Sequence, residues 1–231
     1  MINLKTKIKA ILFDIGGPID SEILNDKLLN LHFIEEFSTH NIIIDDSDIE
    51  NCLARLINNF DKNIYLSLCE YFSNDNHSIK TSVYKNILLR SKERDLIRNA
   101  PEISKDVIEV LKYLSINYKL GVVANQTLNA LKSLKNTGIN KYFNSFEVSE
   151  SIGFNKPDER IFLYVMNMLK VSNEECIMIG DRIDNDIIPA NKLNIFSIRI
   201  KTGRFTYQVP RDISEKPKFE IDNLSELQNI L

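Results

Sequence analysis

The chain has 231 residues, with 29 lysines and arginines against 32 aspartates and glutamates, which gives a formal net charge of −3. Its 43% hydrophobic and 26% charged residues are typical of a globular protein and argue against disorder. The near-balance of charge disfavours nucleic acid or an anionic membrane surface as the main partner, and no apolar run is long enough to span a bilayer. Three cysteines without a C-x-x-C spacing disfavour a disulfide framework or a zinc site. We therefore expect a soluble cytoplasmic protein with one domain, or with a core that carries an insert.

Four short apolar segments predict buried strands, at residues 8–13, 120–124, 176–179 and 195–198. Each segment is mostly apolar and does not alternate in polarity, which is typical of a parallel sheet covered on both faces. Helical patterns lie between the segments, and one of them is expected to begin at Pro157. This alternation predicts an α/β fold, with a Rossmann-like, three-layer core built around a parallel sheet.

Residues 20–98 break the alternation, because they show only helical patterning. Leu24, Leu28 and Leu31 share a helical spacing, and the pair Ser47 and Glu50 is a candidate capping box. So long a helical stretch is too much for one crossover between strands. We therefore predict an α/β core of residues 1–19 and 99–231, and an inserted helical subdomain of residues 20–98.

Polar residues follow the predicted strands at the points where ligands bind in open α/β sheets. Asp14 and Asn125 follow the first two strands, Asp181 and Asp186 follow the third, and Lys156 precedes a predicted helix. Each of them alone could be an ordinary turn, cap or surface residue. Together, carboxylates that converge on one point repel one another unless a cation lies among them, and hard oxygen ligands suit Mg²⁺. A cation beside a lysine then makes a site for a phosphate-sized anion.

The same residues resemble the four motifs of the haloacid dehalogenase superfamily, a group of mostly Mg²⁺-dependent phosphohydrolases. The matching segments are residues 11–14, 122–125, 156–157 and 180–186, in the family's order. The helical insert resembles the cap that one subclass of the family carries between its first two motifs. Residues 219–227 resemble the closing strand and helix of that fold.

The resemblance implies a role for each matching residue. Asp14 is the expected nucleophile, which forms an aspartyl-phosphate, and Lys156 is expected to assist it as a catalytic and substrate-binding residue. The expected substrate-binding groups are Gly16, Gly17, Asn125 and Lys156. The expected Mg²⁺ ligands are Asp14, the Gly16 carbonyl, Asp181 and Asp186.

The chain also departs from the family pattern at positions that matter for catalysis. Gly16 stands where phosphatases of the family carry a second aspartate that acts as general acid and base. Pro18 replaces a usual threonine or valine, and Ala124 replaces a usual serine or threonine. Asp20, one position early for the acidic residue common after the first motif, is a possible substitute for the missing acid.

Three functions remain open on these residues. The first is a Mg²⁺-dependent phosphohydrolase that acts on a small phosphorylated metabolite and prefers good leaving groups. The second is a catalytically weakened protein of the same fold that binds a phosphometabolite or a protein partner. A 2-haloacid dehalogenase is less favoured, because those enzymes tend to lose the acid that Asp181 retains here. The expected assembly is a monomer or a homodimer.

Overall fold

The computed structural model describes residues 7–231, apart from the side chain of Arg98. Residues 1–6, which the sequence analysis assigns to the core, lie outside the described residues. The chain divides into two compact units. The first contains the residues up to Ser21 together with 101–206 and 210–231, and the second contains 22–100 and 207–209. Residues 207–209, which the sequence predicts to be part of the core, belong to the second unit, where the Val209 amide donates to Oδ1 of Asn58 at 3.0 Å.

The first unit is built on a five-stranded parallel sheet with the order β2-β1-β3-β4-β5. The strands are β1 (Ala10–Phe13), β2 (Lys119–Val122), β3 (Cys176–Gly180), β4 (Phe196–Ile200) and β5 (Phe219–Ile221). The predicted α/β fold with a parallel sheet is thus confirmed. Its strand order reverses between β1 and β3, which is the switch point where ligands bind in such sheets.

The helices are α1 (Ile23–Ser38), α2 (Asp46–Asn58), α3 (Ile64–Ser73), α4 (His77–Leu89), α5 (Ser91–Arg98), α6 (Lys105–Asn117), α7 (Leu128–Asn136), α8 (Ser149–Ile152), α9 (Glu159–Leu169), α10 (Ile188–Lys192) and α11 (Leu227–Ile230). None of the helices in the described part of the chain has the length and apolar character needed to cross a membrane.

Alternate residues of the strands supply two separate cores, one on each face of the sheet. On one face Ile11 and Phe13 pack in a cluster that includes Leu111 of α6. On the other face Leu12 packs in a cluster that includes Val165 of α9. Both faces of β1 are therefore buried, which explains why its sequence is uniformly apolar.

Three local predictions from the sequence need correction. Helix α9 begins at Glu159 rather than at Pro157, because the Asp158 carboxylate caps it by accepting from the Arg160 amide at 2.9 Å. The capping box of α2 consists of Asp45 and Asp48 rather than Ser47 and Glu50. The acidic pair suits this position because negative side chains near a helix N-terminus are favoured by the helix dipole.

The third correction concerns which side of α1 is buried. Leu24 and Leu31 are exposed, whereas Leu29, Phe33 and Phe37 form the buried stripe, with Asn30 and His32 buried beside it. The Asn30 amide nitrogen donates to carboxylates of Asp46 at 2.8 Å and Glu50 at 2.7 Å. Hydrogen bonds of this kind offset the cost of burying a polar side chain, so Asn30 can lie beside the apolar stripe.

Candidate active site

Asp14 and Asp181 follow the two strands that flank the switch point of the sheet. Asp14 comes directly after β1 and Asp181 directly after β3, and both are buried. The Asp14 amide donates to the Ile179 carbonyl at 2.9 Å, so the backbone remains in register with β3 past the end of β1. The Asp14 carboxylate accepts at Oδ1 from the Ile15 amide at 2.7 Å. The fold thus places two carboxylates side by side at the carboxyl edge of the sheet.

The turn after Asp14 is pressed against Asp181. Gly17 has φ +91°, and its amide donates to the Asp20 carbonyl at 2.8 Å. A Cβ at this position would lie 2.9 Å from Oδ2 of Asp181. Glycine is required here for two reasons, because a side chain would strain the backbone and would also push against Asp181.

Asp20 ends the same turn and forms a β-bridge with Gly16. Burial raises the pKa of the Asp20 carboxyl to about 6. A carboxylic acid with such a pKa still carries a proton on part of the molecules near neutral pH.

Lys156 connects two of the carboxylates. Its Nζ lies 2.9 Å from Oδ1 of Asp14 and 2.6 Å from Oδ1 of Asp186, and all three side chains are largely buried. Burial works against the charge, but Asp14 and Asp186 outweigh it and raise the pKa of Lys156 above its usual value. The lysine is therefore an ammonium at neutral pH, placed between two carboxylates.

Asn125 holds the backbone of Lys156 at two points. Its Oδ1 accepts from the Lys156 amide at 2.6 Å, and its Nδ2 donates to the Lys156 carbonyl at 2.9 Å. The family resemblance implies that Asn125 binds substrate. The structure places it where it fixes the position of the lysine, with one further Nδ2 hydrogen left for a ligand.

Asp186 is fully buried within a π-helical turn, Ile183–Ile187. Its Oδ2 accepts from the Arg182 amide at 3.0 Å. The carboxylate occupies the space where a Cβ of Gly180 would stand, so the glycine at the end of β3 allows its close approach. Burial raises the pKa of Asp186, Lys156 acts against that shift, and Asp14 adds to it.

The three carboxylates form a group that suits a divalent cation. Oxygen atoms of Asp14, Asp181 and Asp186 lie within 4.8 Å of one another, and all three residues are buried. Lys156 contacts two of them, Asp14 and Asp186, with its positive charge. Buried like charges at this distance destabilise one another unless a cation joins them, and carboxylate oxygens are the ligands that Mg²⁺ prefers. The donor set therefore fits Mg²⁺.

The structure also brings in two residues that the sequence analysis did not select, Arg199 and Phe205. The Arg199 guanidinium donates to the Asp181 carbonyl at 3.3 Å and to the Phe205 carbonyl at 2.8 Å. The Phe205 ring lies 4.2 Å from the guanidinium of Arg182. A signal for Arg199 was present in the sequence, because a charged residue inside an otherwise apolar strand needs a buried partner.

Comparison with known proteins gives a consistent result. The family model described as haloacid dehalogenase-like hydrolase matches residues 11–200. The glyceraldehyde 3-phosphate phosphatase of Methanopyrus kandleri is 35% identical over 128 residues, which cover 54% of this chain and 55% of that protein. The glyceraldehyde 3-phosphate phosphatase of Methanocaldococcus jannaschii is 29% identical over 97% of both chains.

Solved structures with the same fold cover almost the whole chain. A haloacid dehalogenase-type phosphatase from Thermococcus onnurineus has a TM-score of 0.60 and 26% identity, over 96% of this chain and 97% of that one. The YfnB hydrolase of Bacillus subtilis, solved bound to magnesium, has a TM-score of 0.64 and 20% identity, over 97% and 99%. A 2-haloacid dehalogenase from Pseudomonas syringae has a TM-score of 0.55 and 20% identity, over 96% and 97%. The last two likenesses concern the fold alone.

Proposed function

The chain belongs to the haloacid dehalogenase-like hydrolase family, and on that premise we propose that it is a Mg²⁺-dependent phosphohydrolase of a small phosphorylated metabolite. The observation that carries the proposal is the convergence of Asp14, Asp181 and Asp186 around the ammonium of Lys156. A dehalogenase that works without metal has no need for three carboxylates that converge in this way.

Asp14 is the proposed nucleophile. One of its carboxylate oxygens forms a bond to the phosphorus of the substrate while the bond to the leaving oxygen breaks, and the leaving group takes the electron pair. Water then attacks the same phosphorus, which restores the Asp14 carboxylate and releases inorganic phosphate. Because the Ile15 amide and Lys156 both hold Oδ1, the Asp14 carboxylate is oriented before substrate arrives.

Lys156 is the proposed partner of the phosphoryl oxygens. Its ammonium offsets the repulsion between the Asp14 carboxylate and an incoming phosphate dianion, and Asn125 fixes its backbone. Asp14, the Gly16 carbonyl, Asp181 and Asp186 are the groups that would hold Mg²⁺. When bound, the ion would neutralise charge on the phosphoryl oxygens as a Lewis acid.

Gly16 limits the range of substrates, because it leaves no carboxylic acid at the position two residues after the nucleophile to protonate the leaving group. The loss of a positioned general acid costs about 10² to 10⁴ in rate. Acyl and aryl phosphates, whose leaving groups depart without a proton, are therefore the favoured substrates over alkyl esters. The helical insert, residues 20–98, is the proposed cap that excludes water and selects the substrate.

The absence of an acid at Gly16 also favours a second candidate function, the binding of a phosphometabolite without its hydrolysis. Both candidates predict phosphate binding that depends on Mg²⁺. They differ in turnover, since only the enzyme releases inorganic phosphate in a reaction that requires Asp14.

The test is a panel of phosphate esters with Mg²⁺ and with a chelator. It contains an aryl phosphate, acetyl phosphate, glycerol 3-phosphate and glyceraldehyde 3-phosphate, the last because relatives are named for it. Chloroacetate is the dehalogenase control. Phosphate release that needs both Mg²⁺ and Asp14, judged with Asp14→Asn, supports the proposal. Binding of the esters without release favours the second candidate, and chloride release from chloroacetate overturns both.

A further inference from the structure

Arg199 is a charged residue inside the sheet, on the strand next to β3. Its register partners are Gly180 on β3 and Glu220 on β5, and it is 3% exposed. A buried guanidinium is costly unless its donors are satisfied, so its contacts indicate what it is there to hold.

Those contacts converge on the loop that carries the proposed metal ligands. Nε donates to the Asp181 carbonyl at 3.3 Å, and one terminal nitrogen donates to the Phe205 carbonyl at 2.8 Å. The other terminal nitrogen lies 3.3 Å from the Glu220 carboxylate. Arg199 therefore links the end of β3 to the segment that follows β4 at Phe205.

The linked segment returns to the same loop through a ring. The guanidinium carbon of Arg182 lies 4.2 Å from the centroid of the Phe205 ring. The same guanidinium contacts both carboxylate oxygens of Asp184, at 3.1 and 2.6 Å. The Arg182 amide in turn donates to Asp186. The loop from Asp181 to Asp186 is thus attached to β4 through its backbone, at the Asp181 carbonyl, and to the segment after β4 through the side chain of Arg182.

We propose that Arg199 is a positioning residue for the metal site, which acts with Phe205 to hold the Asp181–Asp186 loop in the arrangement that receives Mg²⁺. The inference rests on the proposed function, because it assigns the metal to these ligands. Residues that orient metal ligands from behind typically contribute about 10- to 100-fold to metal affinity. Arg199 and Phe205 therefore govern the affinity for Mg²⁺ and leave the chemical step to Asp14 and Lys156.

Two variants of the full chain test this inference. Arg199→Lys keeps the charge but loses the planar fork that reaches two carbonyls, and Phe205→Leu removes the ring beneath Arg182 while keeping its own carbonyl. Arg160→Lys is the matched control, because the Arg160 guanidinium also binds a nearby carboxylate, that of Asp158, and stacks on an aromatic ring. Within the described part of the chain it makes no hydrogen bond or ion pair with residues 181–186.

Mg²⁺ affinity is measured by calorimetry, without substrate, and the concentration of Mg²⁺ that half-saturates turnover is measured separately. Both test variants are expected to weaken Mg²⁺ binding by about tenfold or more, whereas kcat at saturating Mg²⁺ stays near that of the parent. Amide hydrogen exchange of the Asp181–Asp186 loop in metal-free protein is expected to be faster in both. Arg160→Lys is expected to change none of these quantities.

The possible results distinguish a failure of this inference from a failure of the proposed function. If the parent binds Mg²⁺ and both variants bind it equally well, the inference is overturned and the proposed function stands. If the parent binds no Mg²⁺, the metal assignment fails and the inference fails with it. If Arg199→Lys does not fold, Phe205→Leu alone tests the inference. This variant is expected to fold, because the Phe205 side chain is only partly buried.

Discussion

The ammonium of Lys156 lies 2.6 Å from Oδ1 of Asp186, and neither side chain has appreciable contact with solvent. The same ammonium reaches Asp14 at 2.9 Å, so one lysine joins the expected nucleophile to an expected metal ligand. Removal of the lysine would leave carboxylates of both residues buried without their cation. The stability of the fold and the chemistry of the site therefore depend on the same side chain.

Lys156→Met is expected to destabilise the protein at neutral pH by about 3 to 5 kcal/mol, the usual cost of breaking a buried ion pair by removing one partner. Urea denaturation at pH 7.5 measures the loss. Lys9→Met is the matched control, because Lys9 pairs with Glu175 at the surface and such pairs contribute about 0 to 1 kcal/mol. An equal loss in both variants would contradict the buried-pair interpretation.

Gly17→Ala is expected to cost more stability than Gly138→Ala. Both glycines have positive φ, +91° and +80°, so both substitutions carry a backbone cost of roughly 1 to 2 kcal/mol. A Cβ at Gly138 meets nothing within 4 Å, whereas a Cβ at Gly17 would lie 2.9 Å from the Asp181 carboxylate. Only Gly17→Ala should therefore also weaken the stabilisation by Mg²⁺. Thermal denaturation of both variants with and without Mg²⁺ checks this, and equal Mg²⁺ shifts would count against it.

The raised pKa of Asp20 predicts that the stability of the protein depends on pH. Burial raises its pKa from 3.8 to about 6, so between these values the folded protein binds more protons at Asp20 than the unfolded chain does. The contribution of Asp20 to the free energy of unfolding therefore falls as pH rises through this window. The full cost of burying the charged Asp20 carboxylate is present above pH 6.

Asp20→Asn removes that cost. The variant is expected to unfold at a higher temperature than the parent at pH 7.5, and the difference should shrink as pH falls and vanish near pH 4. Thermal midpoints of both proteins across this range provide the measurement. A difference that stays constant with pH would show that Asp20 does not titrate as its burial indicates.

The arrangement of the core could be predicted because its sequence signals are local. Residues 120–122 and 176–179 are uniformly apolar, which indicates strands buried on both faces, and the polar residues stand where those strands end. Parallel strands bring their carboxyl ends to one edge, so the convergence of Asp14 with Asp181 follows from the order of the motifs.

The role of Arg199 could not be predicted, because it depends on partners distant in sequence. The buried side of α1, by contrast, is marked in the sequence by the spacing of Leu29, Phe33 and Phe37, and the spacing of Leu24 and Leu31 is a competing apolar pattern on its exposed side. Arg199 acts on the carbonyls of Asp181 and Phe205, and backbone groups leave no trace in side-chain patterns.

Gly16→Asp tests whether the missing general acid limits catalysis. Gly16 is partly exposed and follows Asp14 by two residues, so an aspartate there adds a carboxyl group beside the nucleophile. Turnover of alkyl phosphates is expected to rise by about 10² to 10⁴, and turnover of aryl phosphates much less, because aryl leaving groups depart without a proton. Gly16→Asn is the control, since it has the same size and cannot donate a proton as an acid. The kcat/KM values of the three proteins are compared on one alkyl and one aryl phosphate. An equal gain in both variants would mean that the added bulk matters rather than the acid, and no gain in either would mean that Gly16 does not limit the rate.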